Sequence, residues 1–127
     1  MRFFGRNPVG ESLAIVERYF SELNEAVASR NFAKVLDLFD DDATLVDEEA
    51  HKTGKSAILD YHEGLPGRVY NASVLSVGGN MVTVVCTIEL PQGLSSPERK
   101  CIFCLNHNKI HTLRIKEHEE AAVFQGG

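Results

Sequence analysis

The sequence predicts an α+β domain, with helices packed in the concave face of a strongly curved antiparallel or mixed sheet. Such a cone leaves a central pocket between helix and sheet. Three observations predict it. An amphipathic stripe at helical spacing opens the chain, and the apolar period changes to two from Arg68 onward. Long strands then follow one another with no helix between them, an order that excludes βαβ units.

The first helix is read from Glu11 to about Arg30. Leu13, Val16, Tyr19, Phe20, Leu23, Ala26 and Val27 recur three and four residues apart, against Glu17, Arg18, Ser21, Glu22 and Glu25. Asn31 is a cap for a short second helix carrying Val35, Leu36, Leu38 and Phe39, which Asp40-Asp41-Asp42 ends. Ala43 to Val46 is a short strand, and Asp47 to Lys52 a polar turn. Gly54 to about His62 is a third helix, stopped by Gly64, Pro66 and Gly67. Val69 to Val77 and Met81 to Leu90 are strands around a Gly78-Gly79-Asn80 turn. Glu98 to Leu105 and Ile110 to Glu117 form a hairpin around Asn106 to Lys109.

Size and composition agree with one domain over residues 1–127, with an arm at 1–10 and a flexible tail at 119–127. The 127 residues suffice for a single core, and 43% hydrophobic with 24% charged residues is globular composition. A net charge of −5 repels phosphate backbones, so nucleic acid is not an expected partner. No apolar run is long enough to span a bilayer, and MRFFGRNPVG lacks the apolar stretch of a secretory signal. Three cysteines, Cys86, Cys101 and Cys104, then suggest reduced thiols and a cytoplasmic chain. Cys101 and Cys104 have CxxC spacing. In a strand, residues three apart face opposite sides, so a structural role is expected for both.

The order helix, short helix, DDATLVD, polar turn, GKSAILDYHEG and four strands resembles the nuclear-transport-factor-2-like superfamily. The resemblance runs from about Glu11 to His118 and is strongest from Phe39 to Gly64. Its nearest branch is the ketosteroid-isomerase and SnoaL-like polyketide-cyclase group. That branch implies a cofactor-free isomerase, cyclase or lyase acting on a hydrophobic cyclic substrate.

The resemblance places Asp47 at the position of the carboxylate that moves a proton between substrate carbons. A carboxylate does this best in an apolar cavity, where burial raises its basicity. Asp47 also adjoins Glu48 and Glu49, and such a run is commonly a solvated turn. Tyr19 matches a first-helix tyrosine that donates to the developing oxyanion, though it also belongs to the apolar stripe. His62 falls at a third-helix site beside Tyr61. It is either a pocket-edge acid–base group or a surface residue at the helix end. Phe39 stands where the family has a tyrosine. Phe103 stands near the place of a second, protonated acid, and Lys100 to Leu105 contains no carboxylate. Losing one oxyanion donor costs about 2.7–4 kcal/mol, which weighs against steroid isomerisation by that route. Asp47, Tyr19 and His62 are thus the catalytic candidates, and Tyr61, Phe39 and Phe103 the pocket-lining ones.

His51, His107, His111 and His118 are scattered on turns, and no ligand-spaced cluster marks a metal site. No cofactor motif is present. Thr83, Val85 and Thr87 form an outer sheet face too apolar for water, so a homodimer through that face is expected. The alternative function is a non-catalytic protein-interaction module of the nuclear-transport-factor-2 type, supported by the "L-P" after the third helix. A ligand-binding domain without turnover is a third reading.

Overall fold

The computed structural model describes residues 8–48 and 50–117. Helix α1 spans Pro8–Ser29, α2 Ala33–Leu36 and α3 Lys55–Glu63. The strands are β1 Phe39–Asp47, β2 Ala50–Thr53, β3 Val69–Gly78, β4 Met81–Ile88, β5 Arg99–Asn106 and β6 Lys109–Glu117. They form one six-stranded sheet in the order β2-β1-β6-β5-β4-β3. Only β1–β6 is parallel, so the sheet is mixed. The fold is α+β, as expected. Among the described residues, no helix is long and apolar enough to cross a membrane.

Helix α1 starts three residues earlier than expected and takes residues 8–10 from the predicted arm. Residues 1–7, His118 and the tail lie outside the described residues. Its stripe is as read: Val16, Tyr19, Leu23 and Ala26 are buried, with Leu13, Phe20 and Val27 packed beside them. Asn24 fixes the helix to the sheet. Its amide donates to the Val69 carbonyl and its oxygen accepts from the Val69 N–H, both at 2.8 Å. Arg30 leaves the helix in the left-handed region (φ 64°), and the Asn31 side chain accepts from the Ala33 N–H at 3.1 Å.

The stretch from Phe39 to Thr53 differs from expectation. The Asp40-Asp41-Asp42 run is strand, not helix end, and Asp47 to Lys52 is largely hairpin rather than loose turn. Phe39 pairs with Ile110 and Thr44 with Thr112, so a bulge absorbs the three aspartates. Their carboxylates find partners at the surface: Asp40 with His111 at 2.8 Å and Asp41 with Lys55 at 3.6 Å. The local acid cluster reads as a helix stop, but pairing with a distant strand decides the outcome.

The β5–β6 hairpin turns through His107 and Asn108, both at positive φ (52° and 64°), as a two-residue turn of primed type requires. Gly67 is demanded by contact rather than by φ. A Cβ there would sit 2.2 Å from the Glu89 carbonyl oxygen, so only glycine lets the α3–β3 loop lie against the end of β4. That contact sets the rim of the cone. The core is built on Phe39, Phe103, Leu45, Ile58, Ile110 and Leu113, none of which reaches solvent.

The outer face of β4 is less open than expected. Val85 and Thr87 are 9% and 8% exposed within the single chain. Val85 lies in register between Ser73 of β3 and Lys100 of β5.

Candidate functional site

Two polar groups sit at different depths of the cone. The deeper one joins Tyr19 of α1 to His62 of α3. The Tyr19 hydroxyl and His62 Nε2 are 2.7 Å apart, and His62 Nδ1 lies 2.8 Å from the Ile58 carbonyl. A carbonyl only accepts, so Nδ1 carries the proton and Nε2 is an acceptor. Tyr19 therefore donates to His62. Burial holds His62 down to about 4, opposed by the bond to Ile58, and pushes the Tyr19 phenol well above its ordinary value. Rings of Phe20, Phe39, Phe103 and His62 surround Tyr19 edge-on at 5.1–5.9 Å.

His62 is 0% exposed, which corrects its reading as a helix-end surface residue. It sits in the last turn of α3, four residues after Ile58, on the face that meets the core. Phe39 and Phe103 are likewise packed solid in the core and border neither the cleft at the mouth nor the apolar space behind it. Tyr19 has its proton committed to His62, so it offers lone pairs rather than a donor to anything beside it.

The shallower group lies at the mouth. Asp47 ends β1 in phase with Ala43 and Leu45, the inward-facing residues of that strand. Arg99 opens β5 in phase with Cys101, Phe103 and Leu105, and Tyr61 comes from α3. Arg99 Nη2 donates to Asp47 Oδ2 at 2.7 Å, and the Tyr61 hydroxyl donates to the same oxygen at 2.7 Å. Nη2 also reaches the Tyr61 oxygen at 3.3 Å. The side chains of Asp47 and Arg99 are 20% and 21% exposed. Burial, then the bond to Asp47, pushes Tyr61 above the ordinary phenol range. Burial alone would lower Arg99, yet Tyr61 and Asp47 hold its guanidinium above its ordinary value.

All bonds to Asp47 use Oδ2, and those of Arg99 use Nη2. Among the described residues, Asp47 Oδ1 and the Nε and Nη1 hydrogens of Arg99 have no protein partner. Half-covered groups of this kind require water or a ligand. Asp47 and Arg99 line a cleft of about 210 Å³, together with Glu48, Pro66, Ile88, Leu90, Pro97 and Lys116. Behind it lies an apolar space of only about 20 Å³ between Tyr19, Phe20, Leu23, Tyr61, Cys86 and Ile115. Arg99 and Ile88 border both. Of the expected site residues, the structure brings Asp47 and Tyr61 together and leaves Tyr19 and His62 as a separate pair.

Arg99 was missed. Its signal was available: a basic residue in phase with the apolar face Cys101, Phe103 and Leu105 needs a buried partner. The cysteine reading holds in part. Cys101 is buried and Cys104 half-buried on the other face. The Cys101 thiol instead meets Cys86 at 3.8 Å across β4 and β5. The contact with Cys86, together with burial, raises Cys101, and the contact with Cys101 lowers Cys86. No group of metal-ligating side chains occurs among the described residues.

No protein-family model matches the chain, and no curated protein is significantly similar to it. Solved structures do match. A protein of unknown function from Cytophaga hutchinsonii, described as NTF2-like, superposes with a TM-score of 0.70 at 15% identity, over 88% of this chain and 94% of that one. A proposed ketosteroid isomerase from Kribbella flavida gives 0.70 at 16% identity, over 87% and 80%. SalBIII, an epoxide hydrolase/cyclase-like enzyme of pyran ring formation in salinomycin, gives 0.71 at 19%, over 87% and 92%. Identities this low carry the architecture alone: the chain has the nuclear-transport-factor-2-like fold, in the company of isomerase-like and cyclase-like structures.

Proposed function

We propose that the chain binds a small cyclic carbonyl compound at the mouth of the cone, in the manner of the isomerase and cyclase branch, with Asp47 as the proton-moving base. The observation that carries this reading is the pairing of unused valences in one cleft. Asp47 Oδ1 is an acceptor without a proton, and Arg99 presents N–H donors without acceptors, on side chains only about one fifth exposed. A ligand carbonyl oxygen on Arg99 would leave its α-carbon beside Asp47. Negative charge growing on that oxygen would then meet a fixed cation in a partly dry site, the arrangement that stabilises an oxyanion. In this reading Arg99 takes the part that the resemblance gave to Tyr19 and to the missing late-strand acid. Ile88, Leu90, Pro66 and Pro97 supply the apolar wall for a ring, in a cleft whose remaining lining, with Glu48, Ser96, Lys116 and Glu117, is polar.

The test is a thermal-shift screen with cyclic ketones and polyketide-like 1,3-diketones, followed by hydrogen–deuterium exchange at the ligand α-carbon by NMR. Wild type is expected to be stabilised and to speed exchange. Asp47→Asn should keep binding and lose exchange, whereas Arg99→Gln should lose both. No stabilisation by any member of the series refutes the reading.

The alternative is a protein-interaction module without chemistry. What favours it is the nearly filled interior, about 20 Å³. It predicts no response to any small ligand and no loss of partner binding in Asp47→Asn.

A further inference from the structure

The cations of this chain are not treated alike. Arg18, Lys55, Arg68 and Arg99 each pair with a carboxylate, and Arg30 and Lys109 hold backbone carbonyls. Among the described residues, Lys100, Arg114 and Lys116 have no such partner, and all three stand on one part of the outer sheet face. Their strand neighbours Cys101, Leu113 and Ile115 are buried in the core, so these three side chains leave from the opposite face. Lys100 lies directly opposite Lys116, and Arg114 is two residues before Lys116 on the same strand. Lys34 and Lys52, also without a bonded partner, stand singly on α2 and β2.

The placement costs stability, because like charges directly opposite across a strand pair repel. The chain as a whole is acidic, at −5, yet no described carboxylate lies within ion-pairing distance of the three. Lysine commonly guards a free sheet edge. Here β5 and β6 are interior strands, so edge protection does not account for the cluster. The surface beside it is apolar: Arg114 is in register with Ile102 of β5 and Val46 of β1, both half-buried.

We propose that this patch docks an acidic segment of another protein, extended along β6 with carboxylates at alternate positions. The occupant follows from charge and spacing. Directly opposite residues hold their Cβ atoms about 4.5–5.5 Å apart, so one carboxylate can serve Lys100 and Lys116 together. Arg114 is two residues, about 7 Å, further along β6. Alternate side chains of an extended segment have the same separation, so the next carboxylate on that face meets the guanidinium. A second copy laid here, with a two-fold axis through the patch, would instead bring the same cations together. Nucleic acid is the poorer match. On this face β1, β5 and β6 offer no aromatic ring to stack a base, and the net charge repels a dense polyanion.

Fluorescence anisotropy with the full chain tests this, with a labelled peptide of alternating glutamate and threonine as the probe. Expected is submillimolar binding at low ionic strength that weakens with added salt. The same peptide with glutamine for glutamate should not bind. Lys100→Gln with Arg114→Gln should weaken binding at least about tenfold. Neither residue borders the Asp47–Arg99 cleft, which Lys116 does, so this loss separates the patch from the cleft. Lys34→Gln should leave binding unchanged. Lys100→Gln alone should raise the urea midpoint by removing the like-charge contact, a readout that needs no ligand. No binding of the glutamate peptide, equal binding of the glutamine peptide, undiminished binding in the folded double variant, an equal loss in Lys34→Gln, a lowered urea midpoint in Lys100→Gln, or tighter binding of an oligothymidylate each overturns the proposal.

Discussion

The buried histidine makes a quantitative statement about acid. His62 has an ordinary value of 6.5 and is held down to about 4 in the fold. The unfolded chain therefore takes up a proton that the folded chain refuses. Stability contributed by keeping His62 neutral is complete above pH 6.5 and falls as pH drops toward 4. The gap corresponds to about 3 kcal/mol at 1.36 kcal/mol per pH unit, a large part of the roughly 5–15 kcal/mol that holds a domain. Carboxylates titrate in the same range, so the effect must be isolated by difference. Tyr19→Phe with His62→Leu removes the titrating group and the hydroxyl that would otherwise lose its acceptor. Urea unfolding at pH 7 and pH 4 is the assay. The wild type should lose about 3 kcal/mol more than the double variant between the two pH values. Parallel losses in both proteins would refute the neutral, buried assignment of His62. Single His62→Leu should unfold more easily than the double variant by about 1–3 kcal/mol, the cost of an orphaned buried hydroxyl.

Three further outcomes are expected. Asp47→Asn and Arg99→Leu should each destabilise by about 1–3 kcal/mol, between surface and buried ion pairs, with clear coupling in a double-mutant cycle of urea midpoints. Gly67→Ala should cost about 1–3 kcal/mol of overpacking, because its Cβ meets backbone and not a movable side chain; calorimetry reads this as a lower Tm. A thiol reagent should label Cys104 fast in the native protein and reach Cys86 and Cys101 only on unfolding, which peptide mapping resolves.

What the sequence made legible follows the range of the interactions involved. Helix α1 and the strands from Val69 onward declare themselves by period, because one face of each is buried along its length. The Asp40-Asp41-Asp42 run misleads because its conformation is imposed by β6, about seventy residues away in the chain. The site divides in the same way. Asp47 and Tyr61 are local to the strongest stretch of resemblance, and both reach the mouth. Arg99 enters from a strand about fifty residues later, and nothing near it in sequence announces its partner. His62 looks like a polar helix end, and its burial is visible only once Tyr19 is seen to satisfy its ring.

The separation of the two polar groups limits what the cone can do. Tyr19 and His62 satisfy each other and the Ile58 carbonyl, so they ask nothing of a ligand and stabilise a neutral interior. Asp47, Tyr61 and Arg99 satisfy each other only in part, so unmet hydrogen-bonding capacity is concentrated at the mouth. A ligand passing from the cleft toward Tyr19 on the Arg99 side would break a half-buried ion pair, since Arg99 borders both spaces. That step leaves Asp47 with Tyr61 alone, and a space of about 20 Å³, room for about one water, is far too small to hold an apolar ring in return. The proposed ligand would instead bind in front of Arg99, whose Nε and Nη1 have no partner among the described residues. The proposed reaction therefore belongs at the rim, and the interior behind it is given over to core packing.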